Sequence, residues 1–222
     1  MKNSKLRRAL LLLACAVMLV SLSVGATLAY LTSTTQEVKN TFTVGKVAIT
    51  LDEAKVDEYG VPVEGAARVQ SNEYKLMPGH TYTKDPTVHM AADSEVSFIR
   101  MKVTVKDLAD LKAVFSDAVD PETNVFLLQN FVDWNSSQWN YVGCVENGDA
   151  AVYEFRYYQT KGTVDSTAVD LEPLFSTITI PGTVENEDLL KLEEVEINVI
   201  AEAIQADGFT DADAAWDAFG QQ

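Results

Sequence analysis

Two histidines, His80 and His89, are all that the 222-residue sequence offers for imidazole chemistry. Such a pair can ligate a divalent metal and, with a carboxylate nearby, activate water for peptide hydrolysis. There is no His-Glu-x-x-His motif, and Pro86 separates the two. They would have to meet from different elements, His80 from a Pro-Gly turn and His89 from a short strand at Thr87–Met90. A second oxygen-rich stretch runs from Asp207 to Asp213, where Asp207, Asp211 and Asp213 are hard ligands of the kind calcium takes. It lacks the EF-hand order and the closing Glu. Thr210 as an N-cap, with Asp211 and Asp213 in the first turn of a helix, accounts for the same residues more simply. Asp117, Asp120 and Glu122 read as the solvated end of another helix. Neither a Gly-x-Ser-x-Gly elbow nor a phosphate-binding glycine loop is present. No catalytic set and no cofactor emerge. The metal candidates are confined to His80, His89, Asp207, Asp211 and Asp213.

Trp134, Trp139 and Tyr141, with the tyrosines of Ala150–Tyr158, pose a different choice. They form either a sugar- or partner-binding surface or a packed cross-strand cluster, and packing is the commoner use of such pairs. Cys144 sits in the same stretch and reads as a half-buried strand thiol.

The elements that would position these groups are mostly strands. Ile99, Met101, Val103 and Val105 alternate with Arg100, Lys102 and Thr104, the period of a half-buried strand. Gln138–Val145 and Ala150–Tyr158 flank Glu146-Asn147-Gly148-Asp149, a hairpin signal with Asn-Gly at its centre. Leu174–Ile180 and Val195–Ala201 alternate likewise. Phe42 and Val44 share one parity and Val47, Ile49 and Leu51 the other, so a bulge is expected at Gly45-Lys46. Asp52–Asn72 reads as a loop or ragged hairpin, and Leu76–His80 as a type II turn. The period changes at Asp107–Val119, where Leu108, Leu111, Phe115 and Ala118 make a helical stripe behind Asp107 as N-cap. Thr210–Phe219 is a short capped helix with Trp216 and Phe219 inward. Roughly seven to nine strands, one inserted helix and a short C-terminal helix predict a mainly β, jelly-roll-like β-sandwich.

Lys2, Lys5, Arg7 and Arg8 precede an apolar run from Ala9 to Val20, which ends in small residues at Ala26 and Ala29. This is the order of an export signal, cleaved after Ala26 or Ala29. The alternative is a retained anchor, since Ala9–Ala29 is long enough to span a bilayer. Its small, partly polar C-terminal third favours cleavage. The signal carries four of the 17 basic groups and none of the 33 acidic ones, so a mature chain has thirteen against 33, a net charge of −20. That charge excludes nucleic acid and anionic lipid as natural partners. The expected organisation is a signal at 1–29 and one domain at 30–222, secreted and free of the membrane once processed.

Three stretches together carry a resemblance. Ala26-Thr27-Leu28-Ala29-Tyr30-Leu31-Thr32 runs closely into Asn40-Thr41-Phe42-Thr43-Val44-Gly45-Lys46-Val47-Ala48-Ile49. Leu76-Met77-Pro78-Gly79-His80 follows, and Ile204–Phe209 closes the pattern. The chain resembles the TasA/camelysin family of Gram-positive bacteria, whose precursors carry a signal processed by a SipW-type signal peptidase. The resemblance implies cleavage after Ala29, with Tyr30 as the mature N-terminus, and a jelly-roll fold. It also implies extracellular biofilm-matrix fibres, in which the N-terminal strand of one subunit completes the sheet of the next. The donor candidates are Tyr30, Leu31, Thr32 and Val38, continued by Phe42 and Val44. Partners would be other copies of the chain or related matrix subunits. The camelysin branch keeps a metal-dependent protease using His80 and His89 as an alternative, and a monomeric adhesin presenting the aromatic loop is a third.

Overall fold

Ser97–Lys106 (β4) is the strand around which the rest is arranged. The structure, a computed structural model, describes residues 45–164 and 166–220. The signal segment, the cleavage-site residues Ala29 and Tyr30, and the donor candidates Leu31, Thr32, Val38, Phe42 and Val44 lie outside the described residues. β4 pairs with Ile197–Gln205 (β10) on one side and Ala150–Tyr157 (β7) on the other, and β7 pairs in turn with Trp139–Asn147 (β6). The predicted row of β4 is buried: Ile99, Met101, Val103 and Val105 are at most 1% exposed. On β7 the matching row of Ala151, Tyr153 and Phe155 is buried too.

Two three-stranded sheets make up the rest of the strand structure among the described residues. One joins Ile49–Asp52 (β1), Thr87–Met90 (β3) and Val169–Asp170 (β8). The other joins Thr81–Thr83 (β2), Phe175–Thr179 (β9) and Val132–Trp134 (β5). All pairings are antiparallel. Apolar residues from all three sheets share one core, including Met90, Met101, Phe155 and Phe175. The fold is therefore mainly β, as the alternation predicts, with ten strands among the described residues and only short helices.

Local chemistry departs from expectation at three points. The hairpin's central pair is Gly148-Asp149, because Asn147 still pairs with Ala150. Only Gly148 needs the left-handed region there, at φ 61°, so the turn uses glycine where Asn-Gly was expected. That shift brings Asp149 over the inserted helix, Leu108–Val114 (α1). Its carbonyl accepts from the Leu108 N–H, and its side chain accepts from the Ala109 N–H at 2.8 Å. Asp107, the expected cap, is left-handed at φ 53° and makes no side-chain cap bond. The helix is also shorter than its stripe. It ends at Phe115 and continues as a 3-10 turn over Ser116–Ala118, which keeps Phe115 and Ala118 buried. The Leu76–His80 turn is as expected, with Gly79 at φ 72° and the His80 N–H bonded to the Met77 carbonyl. Leu128–Phe131 (α2) and Asn186–Leu189 (α3) are single turns.

The C-terminal helix, Ala212–Phe219 (α4), covers the outer face of the four-stranded sheet. Trp216 and Ala215 pack with Ile204 and Phe98 in a second, small core. Arg100 points away from the main core, as its parity demands, yet is only 7% exposed. Its guanidinium lies 4.1 Å from the centre of the Trp216 ring and pairs with Glu202 and Glu154.

Candidate functional site

The inward row of β10 differs from that of β4 although both face the same core. Ile197, Val199, Ala201 and Ala203 stand opposite Val105, Val103, Met101 and Ile99. The β4 residues are covered and the β10 residues are half-exposed. An edge strand with one neighbour leaves its apolar row and its outer N–H and C=O groups uncovered. Among the described residues β10 pairs only with β4, and β1 pairs only with β3. A groove of about 1200 Å³ opens beside these strands. Tyr82, Ile178 and Phe131 contribute to its lining, as do Val199 and Ala201 from β10 and Leu189 and Leu192 from the segment before it.

The other wall is the strap between β1 and β2. It is the ragged hairpin of the sequence reading, held by isolated bridges at Glu53/Val69 and Val56/Pro62. Its anchor is Arg68. Nε donates to Asp52 Oδ1, Nη1 to Asp85 Oδ2 at 2.9 Å, and Nη2 to the Asp85 carbonyl and Thr87 Oγ1. Such a fork uses the planar donor geometry that lysine lacks. Farther along, Tyr82 Oη donates to the Lys75 carbonyl and accepts from the Met77 N–H, both at 2.7 Å. Burial raises the Tyr82 phenol above its ordinary pKa.

The two histidines serve this wall and do not meet at one centre. His80 Nε2 contacts the Tyr59 carbonyl at 2.7 Å. His89 lies between two carboxylates, Nδ1 at 2.6 Å from Asp170 and Nε2 at 2.8 Å from Asp52. The Asp207–Asp213 stretch does not converge either. Asp211 accepts from the Ala214 N–H at 2.9 Å and so replaces Thr210 as the cap of α4, while Asp213 pairs with Arg156. Among the described residues no three His, Cys, Asp or Glu side chains form a group that could hold a metal. Asp120 organises a turn by accepting from the Glu122 and Thr123 N–H groups, which lower its pKa. The aromatic loop is packed: Trp139 is fully buried, and Trp134 and Tyr141 lie against Phe155. Cys144 is half-buried, and burial raises its thiol pKa.

Sequence reasoning missed the Arg68 anchor and the groove itself. Both need a partner far along the chain, and only the irregular pattern of Asp52–Asn72 hinted at a structured strap.

The His89 cluster makes stability depend on pH. Burial alone would lower the His89 pKa, but hydrogen bonds and charge from Asp170 and Asp52 outweigh it and raise the value above 6.5. Burial likewise opposes the charged form of Asp52, and Arg68 and His89 outweigh it to bring its value below 3.8. The His89 contribution is complete below its unfolded pKa and is lost as pH rises through the higher folded one. The Asp52 contribution is present above its unfolded pKa and is lost as pH falls through the lower folded one. The tie is therefore whole between the ordinary Asp52 and His89 values, 3.8 and 6.5, and weakens on either side. His89→Gln is expected to lower stability by about 1 kcal/mol near pH 5.5, allowing for solvent screening of the exposed Asp170. The loss should be smaller at about pH 9 than at about pH 5.5, because the His89 contribution falls as pH rises through its raised folded value. Urea titrations of both proteins at the two pH values check this, and a difference that grows with pH would contradict the assignment.

Comparison of the chain with protein-family models, with curated proteins and with solved structures finds no match in any of the three.

Proposed function

We propose that this chain is an exported surface or biofilm-matrix subunit that assembles by strand addition. The apolar groove of one copy receives the N-terminal strand of the next, Tyr30–Val44, which pairs with the edge of β10 that has no partner among the described residues. The observation that carries this reading is the half-exposed inward row of β10 beside the groove. An added strand supplies the missing hydrogen-bond partners, and its alternate side chains cover Val199 and Ala201. The residues leading into β1 run along the segment after β3. Glu95 donates its N–H to the Lys46 carbonyl, and Ala91 donates to Ala48.

Cleavage by a SipW-type signal peptidase after Ala29 is the releasing step, because the donor stays tethered to the signal until then. Partners are further copies or related matrix subunits, the location is extracellular, and no cofactor or catalytic group is invoked. Strong negative charge keeps the unassembled subunit soluble. Electron microscopy and light scattering on the secreted chain, with its N-terminus sequenced, test the proposal. Oligomers or fibres built from chains beginning at Tyr30 are the expected result. A species that remains monodisperse at every concentration, or an exported chain that still carries Met1, would overturn it.

A further inference from the structure

A lysine, a carboxylate and an asparagine amide come together where the strap crosses the connection between β2 and β3. Lys84 Nζ donates to Glu53 Oε2 at 2.8 Å, and Asn72 Nδ2 donates to Glu53 Oε1 at 3.1 Å. One carboxylate thus holds an amine and an amide side by side. The amide is fixed from its other sides as well. Nδ2 donates to the Ala54 carbonyl at 2.9 Å, and Oδ1 accepts from the Val56 N–H at 3.1 Å. These bonds determine which end of the amide is oxygen. Lys84 is 9% exposed, Glu53 6% and Val56 3%, and Asn72 is half-buried at the side of the groove. Tyr74 is a neighbour of both Glu53 and Asn72 and donates its hydroxyl to the Thr83 carbonyl.

As an ion pair alone this arrangement contributes little, because desolvation of two charges offsets most of their attraction. As chemistry it is well composed. We propose that Lys84 and Asn72 condense into an intramolecular isopeptide bond, with Glu53 carrying the protons. Glu53 takes a proton from the Lys84 ammonium, leaving a neutral amine and a carboxylic acid. The amine attacks Cγ of Asn72, and the Val56 N–H donates to the oxygen on which negative charge develops. Glu53 then delivers a proton to Nδ2, and the second proton of the attacking nitrogen follows by the same carboxyl. The C–Nδ2 bond breaks, the C–Nζ bond is formed, and nitrogen leaves as ammonium. An ammonium and a primary amide enter; a secondary amide and an ammonium emerge, with no oxidant or co-reactant. Because the three groups belong to separate parts of the strap and the β2–β3 connection, the reaction can proceed only after folding has brought them together. The product ties one wall of the groove to the sheet by a bond that needs no cysteine.

The test is mass spectrometry of the folded full chain. The expected intact mass is lower than the sequence mass by one ammonia. A tryptic digest should contain a branched peptide joining Val69–Lys75 to Leu76–Arg100, since acylated Lys84 resists trypsin. Lys84→Arg retains the positive charge beside Glu53 but cannot form the bond. It is expected to remain folded, at full mass and with linear peptides only, and Glu53→Gln should lose the branch while keeping Lys84 and Asn72. A wild-type chain at full mass with linear peptides after prolonged incubation would overturn the proposal. So would loss of ammonia without the branch, the outcome of a succinimide at Asn147-Gly148.

Discussion

A chain that begins at Asn40 is expected to remain folded and monomeric at concentrations where the chain beginning at Tyr30 assembles. Among the described residues the main core draws its buried residues from Tyr82 to Leu192, and a chain beginning at Asn40 keeps all of them. What the truncation removes is most of the segment proposed to fill the groove. In an extended Tyr30–Val44, Val38, Phe42 and Val44 share one face while Glu37 and Lys39 share the other. The first face suits the apolar lining and the second suits water. Loss of that strand should raise the concentration for half-assembly at least a hundredfold, about 2.7 kcal/mol. Light scattering across a dilution series measures it. A second result follows from polarity: the truncated chain can still receive a strand, so small amounts added to the longer chain should cap growth and shorten the assemblies. Equal assembly by both chains would remove the donor role from this segment.

The sequence was legible where a regular period meets a buried face. Ile99 to Val105 and Ala151 to Phe155 alternate because one side of each strand is covered, and the structure buries those residues. Turns were legible to within one residue. Asn147-Gly148 correctly announced a hairpin, but the pairing of Asn147 with Ala150 moved the turn on to Gly148-Asp149. That single step also transferred the helix cap from Asp107 to Asp149, because a cap is chosen by whichever side chain reaches the free N–H groups. The strap's outline was legible as a ragged hairpin, but its anchoring escaped sequence reading for a different reason. Arg68, Glu53, Asn72 and Lys84 act through polar bonds between distant positions, and polar residues in an aperiodic stretch carry no signal of which partner they will find. The histidines show the same limit. Their spacing permitted a shared metal, yet His80 binds a carbonyl of the strap and His89 is held between Asp52 and Asp170.

Trp139→Ala is expected to destabilise the fold by about 3–5 kcal/mol, a large share of what a domain of this size possesses. Trp139 is fully buried, meets Tyr157 edge-on at 4.9 Å, and donates its Nε1 hydrogen to the Glu172 carbonyl at 3.0 Å. Truncation leaves a cavity between β6 and the segment preceding β9, and it orphans that carbonyl. Trp139→Phe separates the two losses. It retains most of the apolar volume, so its cost of about 1–3 kcal/mol reports chiefly on the lost hydrogen bond. Tyr158, at 57% exposure, provides the contrast, since Tyr158→Ala should change stability by no more than about 0.5 kcal/mol. Urea midpoints for the three variants rank them. The ranking also decides what the aromatic loop is for: a ligand-binding surface would tolerate Trp139→Ala with little change in midpoint, whereas a packed one would not. The position of Trp139 beneath Tyr157, with its only polar atom already satisfied inside the protein, assigns it to packing.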